Sequence, residues 1–300
     1  MSVSLSALRV GFVGAGAMGG PMVRRLLAAG AVVAVHDRDA AAVAGLVRQG
    51  AIAAATPAAA ARQAQVLVVM VHDAEQVDEV LWGQDGAARA LPPGAAVWLA
   101  STVAPARARA QAERLAAIGC EPVDGPVSGG VSGARSGTLT VMAAGSARAL
   151  DAAAPVMQAC AARVLRVGPP GAGATCKMIN QVLTASHLAM AAEALAFGRR
   201  AGVDLELLVE LVRGSAGNSV MFDKRAPRMV AGEHEPQATL KTFIKDLDIA
   251  LEAAGQWRFP LPLAAAARDA FGRAAAAGSE NDSDTRLLRA YPEAAAEPQP

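Results

Sequence analysis

Aromatic residues make up only 3% of this 300-residue chain, with one tyrosine, three tryptophans and six phenylalanines. Yet 53% of it is hydrophobic, so alanine, valine and leucine must build the core. Cys120, Cys160 and Cys176 are too few and too scattered for a disulfide framework or a zinc site. His36, His72, His187 and His234 show no ligand spacing either, so no metal is expected. Formal net charge is +1, which leaves no electrostatic footprint for nucleic acid or an anionic membrane surface. No apolar run reaches the ~18 residues that a membrane helix needs. The N-terminus lacks a basic n-region, so a signal peptide is not expected. These absences describe a cytoplasmic protein whose partner is a small molecule or another protein, and whose length suffices for a sizeable core.

What is present alternates. Apolar runs at 8–14, 32–36, 66–71 and 95–100 read as strands, separated by helices at 17–29, at 39–48 and from about 74, with another after Pro105. Strands that are apolar throughout, joined by helices, indicate a parallel sheet covered on both faces. Further strands are expected at 121–124, 138–144 and 163–167, with the segment GPVSGGVSGARSG read as a loop. From Pro170 onward the signals are helical: a long helix over 172–200, then helices near 204–213, 219–231, 239–255, 261–277 and 283–290. The fold class is therefore α/β, a Rossmann-type dinucleotide-binding domain over 1–167 followed by an all-helical domain over 168–300. The tail EAAAEPQP is expected to be loosely held.

Gly14, Gly16 and Gly19 spell G-x-G-x-x-G between the first strand and the first helix. Alone the motif is weak. Here the next strand ends at Asp37, 18 residues beyond the last glycine, against the ~20 of dinucleotide-binding folds. Gly14 permits the tight turn, Gly16 lets backbone approach a pyrophosphate, and Gly19 lets helix pack on strand. Ala17 and Met18 complete the cofactor-binding turn, whose N–H groups and helix dipole suit phosphates. Asp37 would accept the ribose hydroxyls and repel a 2′-phosphate, favouring NAD over NADP. Arg38 is the counter-signal, because a guanidinium there could cradle that phosphate.

In DGPVSGGVSGARSGTL (124–139), Gly129 and Gly130 permit a concave array of backbone donors suited to a carboxylate, and the Ser128 hydroxyl can add another. Composition fits a flexible linker equally well, though apolar strands flank the segment closely. Further on, GAGATCKMINQ sets Lys177 in a small, apolar neighbourhood, with Asn180 three residues later on the same helix face. An amine of pKa ~10.4 is a poor base at neutral pH, but desolvation lowers it, and a tuned lysine can take the proton of a hydroxyl undergoing oxidation. A lysine snorkelling from a helix start into water fits the spacing as well. The late KDLD segment, taken alone, reads as a solvated Lys245–Asp248 pair.

Taken together, GFVGAGAMGGPM, DGPVSGGVSGARSGTL, GAGATCKMIN and IKDLDIAL resemble, in that order, four signatures of the β-hydroxyacid dehydrogenase family, over about residues 8 to 290. The resemblance implies NAD-dependent oxidation of a short hydroxy acid's hydroxyl. Lys177 would be the catalytic acid/base, Asn180 the residue orienting the substrate, and Ser128, Gly129 and Gly130 the carboxylate-binding loop. It also implies that Thr102 lies near the nicotinamide, that Lys245 closes over the cofactor and that Asp246 borders the substrate. Imine reductases share the fold but lack the lysine. A sensor that kept only dinucleotide binding would not need the identities at 128–130, 177 and 180. Within the family, AGNSVMFDKRAPRMVAGEHEP, FIKDL and RFPLPLAAAA look most like the L-threonate branch, with Val220 where that branch has tryptophan; the 3-hydroxyisobutyrate and tartronate semialdehyde branches are the alternatives. A homodimer or homotetramer is implied as well.

Overall fold

The computed structural model describes residues 5–291, and the tail EAAAEPQP lies outside them. The chain divides into two compact units, one up to Lys177 and one from Met178 onward.

The first unit is built on a sheet whose early strands run parallel. Its elements are β1 (Arg9–Val13), α1 (Gly19–Ala28), β2 (Val32–His36), α2 (Ala40–Val47), β3 (Ile52–Ala53), α3 (Pro57–Ala61), β4 (Val66–Val69), α4 (Ala74–Trp82), β5 (Ala96–Leu99), α5 (Pro105–Ala117) and β6 (Glu121–Asp124). There follow β7 (Val127–Ser128), α6 (Gly130–Ser136), β8 (Leu139–Gly145), α7 (Ala147–Cys160), β9 (Ala161–Gly168) and the start of α8 (Ala172–Arg200). Strand order is β3-β2-β1-β4-β5-β6-β8-β7, with β9 also on β8. The chain steps outward from β1 to β3, then returns to place β4 on the other side of β1. That reversal is the topological switch point, where α/β sheets bind ligands at the carboxyl ends of their strands.

The central strands β4 and β5 are apolar throughout because both faces are covered. Val66 and Val68 of β4 enter one cluster with Phe12, Val33, Val35 and Trp98. Leu67 and Val69 enter another with Val13, Val97 and Leu99 on the opposite face. Period-2 alternation sorts the side chains, yet every position of β4 and β5 is buried.

The structure departs from the sequence reading at the far end of the sheet. Residues 127–136 are not a loop: Ser128 pairs with Thr140 in an antiparallel ladder, and α6 follows at once. β6 is antiparallel to β8 as well, so the sheet is mixed. The reversal sits at Gly129 (φ +132°) and Gly130 (φ +65°), a backbone path that side chains disfavour. α7, which the sequence reading did not anticipate, starts at a Ser146 cap that accepts the Ala149 N–H at 3.0 Å. Its interior Pro155 obscures the helical pattern.

The second unit holds the rest of α8 with α9 (Leu205–Arg213), α10 (Val220–Val230), α11 (Leu240–Gln256) and α12 (Pro262–Ala276). Asp204, Ser219 and Thr239 cap α9, α10 and α11 with side-chain oxygens, satisfying N–H groups that a helix start leaves over. The segment expected as a helix near 283–290 is a 3₁₀ turn, Asp284–Ala290. With so few aromatics, one pair stands out in this core: Phe243 and Phe271 stack at 5.0 Å among Ala185, Leu188, Leu195 and Leu247. A buried ion pair, Arg225 Nε to Asp284 Oδ2 at 2.7 Å, ties α10 to the 3₁₀ turn. No helix among the described residues is long and apolar enough to cross a membrane.

Candidate active site

At the carboxyl edge of the first unit's sheet, each glycine of the first turn meets a different constraint. Gly14 has φ +98°, and a Cβ there would run into the Met70 carbonyl oxygen. A Cβ on Gly19 would strike the Gly14 carbonyl and lie 2.9 Å from Phe12 Cε1. At Gly16 an added Cβ meets nothing within 4 Å, so backbone faces open space there, as a pyrophosphate requires. The α1 N-terminus, at Met18, carries no side-chain cap and no acidic residue in its first turn. Ala17 is exposed and Met18 half-buried in the same turn. The cradle fits a dinucleotide phosphate.

Asp37 follows β2 and is tied to this turn. Its Oδ2 accepts the Ala15 N–H at 2.5 Å, and its Oδ1 accepts the Asp39 N–H at 2.8 Å. A carboxylate offers about four acceptor positions, so capacity is left for two ribose hydroxyls. Arg38 is exposed beside it. Thr102 lies half-buried just after β5. The preceding Ser101, unremarked from sequence, accepts the Val71 N–H at 2.9 Å through its hydroxyl and so fastens the ends of β4 and β5. At the other end of the sheet, Ser128 is half-buried and Gly129 and Gly130 are exposed.

Lys177 is only 8% exposed, which removes the snorkelling alternative. It stands on α8, and the start of that helix is anchored by a residue the sequence reading quoted without a role. Asp124, at the end of β6, accepts the Gly171 N–H at 2.9 Å and the Ala174 N–H at 3.0 Å on the same oxygen, Oδ2. Gly173 makes this possible: a Cβ there would sit 2.5 Å from the carbonyl oxygens of both Asp124 and Met142. Glycine at that position lets the helix start approach other backbone closely. Burial pushes the Asp124 carboxyl above the usual carboxylate range, against the pull of the Ala174, Gly171 and Gly173 N–H groups and of Arg109. The signal available in sequence was an acid closing the strand EPVD just before a glycine-rich turn.

The second unit holds the remaining candidates. Lys245 Nζ donates to Asp246 Oδ1 at 2.8 Å, and Asp246 is 2% exposed. Asp248 instead takes Arg268 Nε at 2.8 Å on an open surface. Burial thus distinguishes the two acids of KDLD, two positions apart on the helix: Asp246 is sent inward and Asp248 outward. Asn180 is half-buried and donates through Nδ2 to Gln181 Oε1 at 3.0 Å and to Thr184 Oγ1 at 3.2 Å. Among the described residues no group of three or more His, Cys, Asp or Glu is arranged to hold a metal ion.

A family model described as the NAD binding domain of 6-phosphogluconate dehydrogenase matches residues 9–168. A second, described as the NAD-binding of NADP-dependent 3-hydroxyisobutyrate dehydrogenase, matches 171–291. The chain belongs to the β-hydroxyacid dehydrogenase family. It is 39% identical over 284 residues to an L-threonate dehydrogenase of Cupriavidus necator, covering 94% of this chain and 96% of that protein. A 3-sulfolactaldehyde reductase of Escherichia coli is 33% identical over 280 residues, 93% of this chain and 94% of that one. The crystal structure of a 3-hydroxyisobutyrate dehydrogenase from Salmonella typhimurium superposes with a TM-score of 0.88 at 40% identity, covering 94% of this chain and 99% of that one. The fold is that of the family, with a Rossmann-type unit and a helical unit. The protein is an oxidoreductase acting on the CH–OH group of a hydroxy acid with NAD(P).

The Asp124 anchor generates a prediction. Asp124→Ala should cost about 2–3 kcal/mol in urea unfolding, because buried N–H groups lose a charged acceptor. It should also lower turnover by more than it weakens NADH binding. Asp124→Asn, whose amide oxygen can occupy the Oδ2 position, should recover most of both; an alanine variant of unchanged stability contradicts the anchoring role.

Proposed function

We propose that the protein oxidises L-threonate with NAD. The observation that carries the reading is a lysine withdrawn from water, Lys177, three residues before Asn180 on one helix in a chain of this family. Bound nicotinamide supplies the hydride acceptor. Ser128, Gly129 and Gly130 take the substrate carboxylate, using the hydroxyl and a backbone curved by two left-handed glycines. Asn180 orients the reacting hydroxyl, and Lys177 accepts its proton as the hydride departs, returning it in the reverse direction. Gly14, Gly16, Ala17, Met18 and Gly19 hold the pyrophosphate, Asp37 the adenosine ribose, and Thr102 and Lys245 the nicotinamide end. The Asp37 carboxylate, fixed by two N–H groups, opposes a 2′-phosphate, which supports NAD over NADP despite Arg38. Most of what the protein contributes is position.

L-threonate is preferred because the relatives of that name match nearly the whole chain at about two residues in five. 3-Hydroxyisobutyrate is the second reading, supported by the 40% identical Salmonella structure.

We also propose that the chain assembles as a homodimer or homotetramer through α8. Ile179, Leu183, Met190 and Phe197 are 54–75% exposed, and the last three recur every seven residues. That spacing puts them on one apolar stripe suited to a second copy of the helix.

Turnover, followed by reduced-nicotinamide absorbance, should be at least about tenfold faster with L-threonate than with D-threonate, 3-hydroxyisobutyrate or glycerate. NAD should likewise outperform NADP by about tenfold. A different preferred acid overturns the substrate, and preference for NADP overturns the role given to Asp37. Light scattering should give a mass of at least twice the chain's 30.3 kDa, with Met190→Glu shifting it toward the monomer. A monomeric wild type contradicts the assembly.

A further inference from the structure

We infer that Gln181 is a positioning residue that holds Asn180 and Lys245 in place through one side chain, an inference that rests on the roles proposed for those two residues. Gln181 is buried on α8, four residues after Lys177. Its Oε1 accepts the Asn180 amide at 3.0 Å, and its Nε2 donates to Asp246 Oδ2 at 2.6 Å. The other Asp246 oxygen, Oδ1, takes Lys245 Nζ at 2.8 Å. Within the second unit a single chain of hydrogen bonds therefore runs Asn180, Gln181, Asp246, Lys245, joining α8 to α11.

The chemistry of each link explains why the connector is an amide. Ionised Asp246 only accepts, and at 2% exposure it needs protein donors on its oxygens. Asn180 presents its NH₂ end, so its neighbour must accept. One group must then accept at one end and donate at the other, and a primary amide does both while remaining neutral. The network also fixes the amide's orientation: rotated end for end, Gln181 would face oxygen toward the Asp246 carboxylate and NH₂ toward NH₂. Leucine of similar size does neither job. Glutamate can still accept from Asn180 but, ionised, cannot donate to Asp246 and adds a like charge beside it.

Asp246 acts in this arrangement on Lys245. Its two oxygens are engaged by Gln181 and Lys245, so its contribution is to aim the ammonium group. Gln181 in turn aims Asp246, and the same side chain sets the rotamer of Asn180. No new contact with substrate or cofactor is needed for Gln181 to alter both.

The test is a double-mutant cycle on NADH binding, read by fluorescence titration so that it needs no substrate. Lys245→Met and Gln181→Glu should each weaken NADH binding by about tenfold, and the double variant should be no weaker than Lys245→Met alone, because the second change acts through the first. Gln181→Leu, which cuts both arms, should weaken NADH binding similarly and also lower kcat with the preferred hydroxy acid by about tenfold. Gln181→Glu should lower kcat less than Gln181→Leu does, since Asn180 keeps its acceptor. If one Gln181 variant fails to fold, the cycle is run with the other. Wild-type NADH affinity in a folded Gln181 variant, or losses that multiply in the double variant, overturns the inference while leaving the role of Lys245 intact. Unchanged binding in Lys245→Met overturns the role of Lys245, and the inference falls with it.

Discussion

One oxygen of one buried carboxylate fixes where the longest helix begins. A helix leaves its first N–H groups without partners, and its aligned peptide dipoles concentrate positive charge there. Asp124 Oδ2 takes two N–H groups at this helix start, from Gly171 and Ala174. The approach is so close that residue 173 has no room for a Cβ between the carbonyls of Asp124 and Met142. Lys177 follows Ala174 by three positions, so its register is inherited from this contact. β6, which presents Asp124, is in turn aligned by β5, with Leu99 opposite Asp124. The start of the helix proposed to carry the chemistry is thus referenced to the sheet through a single acid.

The same economy recurs wherever charge is buried. Asp284 is paired with Arg225, and Asp246 with Lys245 and Gln181. Each acid is buried, where an unpartnered charge would cost several kcal/mol. A core with so few aromatic rings gains its closeness from small side chains and glycines instead. That is why sequence positions such as Gly14, Gly19 and Gly173 are sterically constrained, whereas Gly16 is left open toward solvent. The glycines divide into those that let the chain pack on itself and those that leave backbone accessible.

Much of this was legible in the sequence where the determinant is local. The constraints on Gly14 and Gly19 follow from a turn that has no room for a Cβ, and the expectation of an acid at the end of the second strand rests on its distance along the chain. The apolar strands announced a sheet covered on both faces. Elements whose signal is weak or mixed were not legible: α7 carries a proline inside an alanine-rich stretch, and the strand and short helix within 127–136 are disguised by glycine and serine. Harder still are residues defined by what they touch at long range. Asp124 and Gly171 are 47 positions apart, and Gln181 and Asp246 are 65 apart. KDLD shows the limit within one segment, since spacing alone suggested Lys245 with Asp248, while the structure gives Lys245 an ion pair with the buried Asp246.

The central claim is that a lysine held by this framework moves the proton during hydride transfer. The most direct measurement is a side-by-side comparison of Lys177→Ala with wild type, following NADH binding by fluorescence and turnover of the preferred hydroxy acid by absorbance. The account predicts binding within about threefold of wild type and turnover lower by at least about a hundredfold, the scale of a general acid–base contribution. A variant that turns over near the wild-type rate would show that Lys177 is not the proton acceptor.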